Sequence, residues 1–118
     1  MMAVLRARVR FPEGTPAAQT ERTAQRIEAA GAALNQDEGL RPASQGNLVQ
    51  HSAAIIGEFA DFSPLRGNNL CEVRLELMPP EQREIHDDRI IEAWRKQIGP
   101  IGDAIEFTIN RQMPGPTE

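Results

Sequence analysis

Tyrosine is absent from this 118-residue chain, and tryptophan and cysteine occur once each. Aromatic residues make up only 4% of the sequence, so alanine, isoleucine, leucine and valine have to fill the core. The lone cysteine, Cys71, excludes an internal disulfide. Its place in an alternating run predicts a small buried hydrophobe. No stretch approaches the roughly 18 to 20 uninterrupted apolar residues of a membrane helix, and the N-terminus lacks a signal peptide's apolar segment. Taken by itself the chain is expected to be soluble. A basic excess is missing too. Thirteen Lys and Arg are scattered among 17 Asp and Glu for a net charge of -4. No basic stripe is offered to a phosphate backbone, and nucleic acid is not an expected partner.

With 40% hydrophobic and 25% charged residues, the composition is that of one ordinary globular domain. We place that domain at 1–112 and read the end, Met113-Pro114-Gly115-Pro116-Thr117-Glu118, as a linker over 113–118. An abrupt strand-like start and a linker-like end are the look of a domain cut from a longer protein.

Leu5, Ala7, Val9 and Phe11 alternate with Arg6, Arg8 and Arg10, the period of a strand with one buried and one wet face. Pro12-Glu13-Gly14 turns the chain. Thr15 is placed to cap a helix and Pro16 to open it. Thr20, Ala24, Ile27, Ala30 or Gly31, and Leu34 then recur at helical spacing, and Gly39 stops the pattern. Leu48 to Ile56 reads as a mostly apolar strand. Cys71, Val73, Leu75 and Leu77 form a third strand, with Glu72, Arg74 and Glu76 turned outward. Pro79-Pro80 ends it. Ile90, Ile91, Trp94 and Ile98 mark a second amphipathic helix stopped at Gly99-Pro100. Ile105, Phe107 and Ile109 make the last strand, with Glu106 and Thr108 facing water.

The order β-α-β-β-α-β implies an α+β, ferredoxin-like fold: a four-stranded antiparallel sheet with both helices on one face. Central pairing of the first and third strands would set Arg6, Arg8 and Arg10 beside Glu72 and Glu76 on an uncovered, charge-paired face. Bases stack on aromatics in the RNA-binding modules of this architecture, and here that face carries Arg, Glu and Thr. A metal-transfer domain needs a Cys-x-x-Cys pair, which one cysteine cannot supply. Between the first strand and helix, Pro12-Glu13-Gly14-Thr15-Pro16 is acidic and proline-rich, a poor cradle for an oxyanion. His86-Asp87-Asp88 point in different directions on a helix, and the two acids complement its N-terminal dipole. His51 has no local carboxylate or nucleophile partner. Neither an enzyme nor a bound metal or cofactor is expected.

The long connection from Ile55 to Leu70 holds two of the four phenylalanines, Phe59 and Phe62, and loops of such length are often functional. Pro12-Glu13-Gly14-Thr15 after a strand, together with Val73-Arg74-Leu75-Glu76-Leu77-Met78-Pro79 followed by Arg83, resembles the periplasmic part of resistance-nodulation-division transporters of the acriflavin-resistance type. These are proton-driven inner-membrane efflux pumps. The resemblance is nearest to the first porter subdomain of their second large loop, where this turn carries Pro-Glu-Gly-Thr and not the Pro-Gly-Ala of the first loop. It implies that the connection between the second and third strands lies along a substrate route, at Phe59, Phe62, Arg66 and Gly67. It also implies a periplasmic position, the rest of the transporter chain as partner, a trimer, a periplasmic adaptor protein and small-molecule substrates. Asp61, Pro64 and Glu58 make this connection more polar than the Phe/Gly-rich form. A stand-alone ferredoxin-like ligand-binding or regulatory module is the alternative, and a small hydrolase a remoter one.

Overall fold

The computed structural model describes residues 3–42, 46–59 and 65–111. Phe62, Asp61 and Pro64 lie outside the described residues, as does the 113–118 linker. Strand β1, Ala3–Arg10, is followed by helix α1, Ala17–Ala33, and by strands β2, Val49–Glu58, and β3, Arg66–Leu77. A single-turn helix α2, Pro80–Arg83, then leads into helix α3, Asp87–Ile98, and strand β4, Glu106–Arg111. All neighbours in the sheet are antiparallel and the strand order is β2-β3-β1-β4. This is the α+β, ferredoxin-like arrangement that the periodicities imply. No helix among the described residues is long and apolar enough to cross a membrane.

The core forms where the alternating strands present their apolar side to the helical stripes. Leu5, Ala7 and Val9 of β1 and Cys71, Val73, Leu75 and Leu77 of β3 are sealed beneath Ala24 and Ile27 of α1 and Ile90, Trp94 and Ile98 of α3. Trp94 is the largest buried side chain, and its indole N–H donates to the Ile27 carbonyl at 3.1 Å. A buried indole needs such an acceptor, because an unpaired donor in the core carries a desolvation cost. The Arg26 guanidinium donates to the carbonyls of Ile98 and Pro100, at 3.1 and 2.8 Å. A cation thus sits at the α3 C-terminus, where the helix dipole favours it.

Several local expectations are corrected. The Thr15 hydroxyl does not cap α1. It donates back to the Pro12 carbonyl at 2.7 Å, closing the turn, and Pro16 is the N-cap with no side-chain hydrogen bond. Helix α1 ends at Ala33, before Gly39, and passes into short 3-10 turns at Leu34–Gln36 and Glu38–Leu40. Ile105 is not a core residue. It is 56% exposed and precedes β4, with its amide donating to the Arg10 carbonyl at 2.7 Å. Strand β2 occupies an edge, so the apolar run Ala53 to Ile56 lies mostly exposed.

Candidate functional site

The connection between β2 and β3 is shorter than its sequence suggests. Strand β2 continues through Glu58 and β3 begins at Arg66, so the loop narrows to residues 59–65. Glu58 and Arg66 face each other in the ladder, with Arg66 Nε 3.3 Å from Glu58 Oε1. Gly67, Asn68 and Asn69, poor strand formers, extend β3 within the register shift between Ile56 and Glu58, and the Asn69 carbonyl is held by the Phe11 amide at 2.9 Å. Gly57 sits at a register shift with φ +98, and Gly67 has φ +148. A Cβ on Gly67 would also lie 2.6 Å from Asn69 Oδ1. Glycine is therefore required at the neck of this hairpin.

Phe59 leaves β2 and turns onto the sheet face away from the helices, where it is only 5% exposed. The Arg8 guanidinium carbon lies 5.0 Å from the centre of its ring, a cation-π contact. Arg8 Nε also donates to Glu72 Oε1 at 2.8 Å, and Arg74 Nε donates to Glu72 Oε2 at 2.9 Å. Glu72 is 0% exposed. One carboxylate thus binds two guanidiniums, one of which carries the phenylalanine. The expectation of a wet, charge-paired face is corrected in two ways. Arg8 stands directly across from Glu72, whereas Arg6 faces Arg74 and Glu76 faces Val4. The centre of that face is buried, not solvated.

Arg66 and Gly67 belong to a second neighbourhood. They line a cleft of about 420 Å³ between the Glu13 to Ala17 turn and the first residues of β3. Its walls are tied together by scaffold bonds. The Thr20 hydroxyl donates to the Asn68 carbonyl at 2.6 Å, Asn69 Nδ2 donates to the Phe11 carbonyl at 2.8 Å, and Phe11 N donates to the Asn69 carbonyl at 2.9 Å. With these groups committed, the exposed Arg66 guanidinium and the Glu13 carboxylate are the charges at the rim. The sequence-based set is therefore divided. Phe59 packs on the sheet, while Arg66 and Gly67 border the cleft. Arg8, Glu72 and Arg74 were legible only as alternating charges, and the signal for their role is that Glu72 stands directly across from Arg8.

The two histidines stand apart from both neighbourhoods. His51 is exposed on β2, across from Glu76. His86 is the N-cap of α3, its Nδ1 accepting from the Asp88 amide at 3.1 Å, and Asp87 and Asp88 occupy the first turn. Asp87 accepts from the buried Arg83. No cluster of three or more metal-ligating side chains occurs among the described residues.

Burial pushes the Cys71 thiol up from 9.0 to about 11. Between those values the unfolded chain releases a proton that the folded chain still holds, so stability falls as pH rises. The expected loss is about 1.4 kcal/mol per pH unit above 9, levelling off near 11. Denaturant midpoints between pH 8 and 10 measure it, with Cys71→Val as the control from which this component should vanish.

Comparison with models of protein families, with curated proteins and with solved structures gives no match for this chain. Its own residues and fold carry the functional reading.

Proposed function

We propose that this chain is the first porter subdomain of the second periplasmic loop of a resistance-nodulation-division efflux pump, contributing to the path of small-molecule substrates. One observation carries the reading. The Pro12-Glu13-Gly14-Thr15 turn, part of the resemblance, forms one wall of the cleft whose other wall holds Arg66 and Gly67 from the β2–β3 hairpin. The motif's Glu13, Gly14 and Thr15 and two of the substrate-route candidates, Arg66 and Gly67, therefore meet at one place. Phe59, buried against Arg8 at the root of the same connection, holds the hairpin that carries one wall of this cleft. In this reading the subdomain holds substrate transiently and moves as a unit. Proton relay belongs to the membrane part of the transporter. The partners are the rest of that chain, two further copies of it in a trimer, and a periplasmic adaptor.

The test starts from the coding sequence on both sides of the chain. Apolar segments of roughly 20 residues on each side support a pump, whereas a start at Met1 with a stop after Glu118 sinks the reading. In the full transporter, Phe59→Ala is expected to lower drug resistance severalfold at unchanged protein level. Unaltered resistance would leave Phe59 a packing residue. The exposed edge of β2 favours the second reading, a stand-alone module that assembles through its sheet.

A further inference from the structure

The two edges of the sheet are not equally guarded. Strand β4 begins with Glu106 and ends with Arg111, charges of the kind that discourage strand addition. On β2 the amide side chain of Asn35 occupies the edge at Val49, donating to its carbonyl at 3.1 Å and accepting from its N–H at 2.9 Å. Beyond that point, His51, Ser52, Ala53, Ala54, Ile55, Ile56 and Gly57 contain no proline, lysine, arginine or acid. Among the described residues no strand pairs with this edge. Ala53 and Ala54 are exposed, and Ile56 is 37% exposed. An apolar, unguarded edge of this length is a template for another strand.

We infer that β2 pairs with β2 of a second copy of this chain, antiparallel, across a two-fold axis at Ala54. The faces require the axis to pass through a residue, and Ala54 is the centre of the run His51 to Gly57. Ser52, Ala54 and Ile56 stand across from Leu75, Val73 and Cys71 and share the helix side, while Ala53 and Ile55 stand across from Arg74 and Glu72 and share the other. Residues directly opposite in an antiparallel pair point to the same side, so a closed two-fold pairing must match like with like. An axis at Ala54 sets Ala54 on Ala54, Ala53 on Ile55 and Ser52 on Ile56. The regular run ends on either side at the register shifts by Gln50 and Gly57. A parallel two-fold pairing would instead set Glu58 against Glu58 and turn the two helical layers to opposite faces. Antiparallel pairing joins the two sheets into one, keeps all helices on one side, and stops at two copies because each chain has used its unguarded edge. The inference does not depend on the transport reading and concerns the chain on its own.

Sedimentation of the purified chain across a concentration series is expected to show a species of twice the chain mass, and Ala54→Lys to return it to the monomer. Ala54 is exposed, so the lysine leaves folding intact, which circular dichroism checks. Oxidation of an Ala54→Cys variant is expected to give a covalent dimer, since opposed Cα atoms lie about 4.5 to 5.5 Å apart, within disulfide reach. The buried Cys71 thiol does not compete. His51→Cys should not cross-link, because that position lies about 20 Å from its counterpart in this register. A chain that stays monomeric at every concentration overturns the inference. So does a dimer indifferent to Ala54→Lys, or cross-linking as efficient at His51→Cys as at Ala54→Cys.

Discussion

Arg83→Met is expected to destabilise the chain by about 3 to 5 kcal/mol, the usual cost of removing one partner from a buried ion pair. Arg83 is 1% exposed. Its Nε donates to the Met78 carbonyl at 2.9 Å, and its other nitrogens donate to the Ile85 carbonyl and the Asp87 carboxylate. One side chain thereby ties the end of β3, the turn after α2 and the first turn of α3. Methionine keeps much of the volume, so the loss measures the polar clamp and not a cavity. It leaves Asp87, which is 14% exposed, with Arg111 at 3.5 Å. A loss of this size is a large share of the roughly 5 to 15 kcal/mol that holds a domain together. Urea denaturation gives the number. Adding Asp87→Asn should recover part of it, because the carboxylate that has lost its buried partner is then neutral. A loss below about 1 kcal/mol would mean that the pair behaves as a surface salt bridge.

Glu72→Leu is the second large effect, again about 3 to 5 kcal/mol, for a related reason. Glu72 is fully buried between Arg8 and Arg74. An apolar side chain there leaves two guanidiniums on one face without the carboxylate that joins them. It also removes the bond that steadies Arg8 over the Phe59 ring. The consequence therefore extends beyond global stability. Amide exchange at the end of β2 should speed up more than exchange in α1, and Arg83→Met should not produce that local difference. In a cycle with Arg8→Leu, the coupling between the two positions should exceed about 0.5 kcal/mol. Additive losses would separate Phe59's position from the ion pair.

The pump reading gains a physical division of labour from these two clusters. Arg83, the arginine that follows the Val73 to Pro79 segment of the resemblance, is a clamp within the scaffold. Glu72 and its two arginines anchor the root of the hairpin, where Phe59 leaves the strand. A loop beside a substrate route needs such a fixed root, whatever the loop itself does.

Much of the fold was legible in the sequence. Period-two alternation marks β1 and β3, and spacing of three and four marks α1 and α3, because a side chain's direction depends on local backbone geometry alone. The same rule sorted Leu5, Ala7 and Val9 from Arg6, Arg8 and Arg10 correctly. It marked Leu48 to Ile56 as a mostly apolar strand but did not show that Ala53 to Ile56 lie on an edge, since apolarity does not say which strand will be the neighbour. It failed at Thr15, whose hydroxyl had two acceptable partners and took the Pro12 carbonyl. The loop was overestimated because β3 reaches back to Arg66 through the register shift at Gly57, and such a bulged continuation is set by the neighbouring strand and not by local propensity. Of the candidate positions, Phe59 adjoins the end of β2 while Arg66 and Gly67 lie in β3, and their separation onto a sheet face and a cleft wall was not visible in one dimension.

The sequence by itself determined the order of elements, the apolar side of β1, β3, α1 and α3, and the burial of Cys71. Those properties follow from spacing along a few turns of chain. The tertiary structure decided that Glu72 is buried, that Arg8 joins it to Phe59, that Arg83 is a clamp and that β2 stands open. Each depends on a partner far away in the chain, and distant partners meet only when strand order and register are settled.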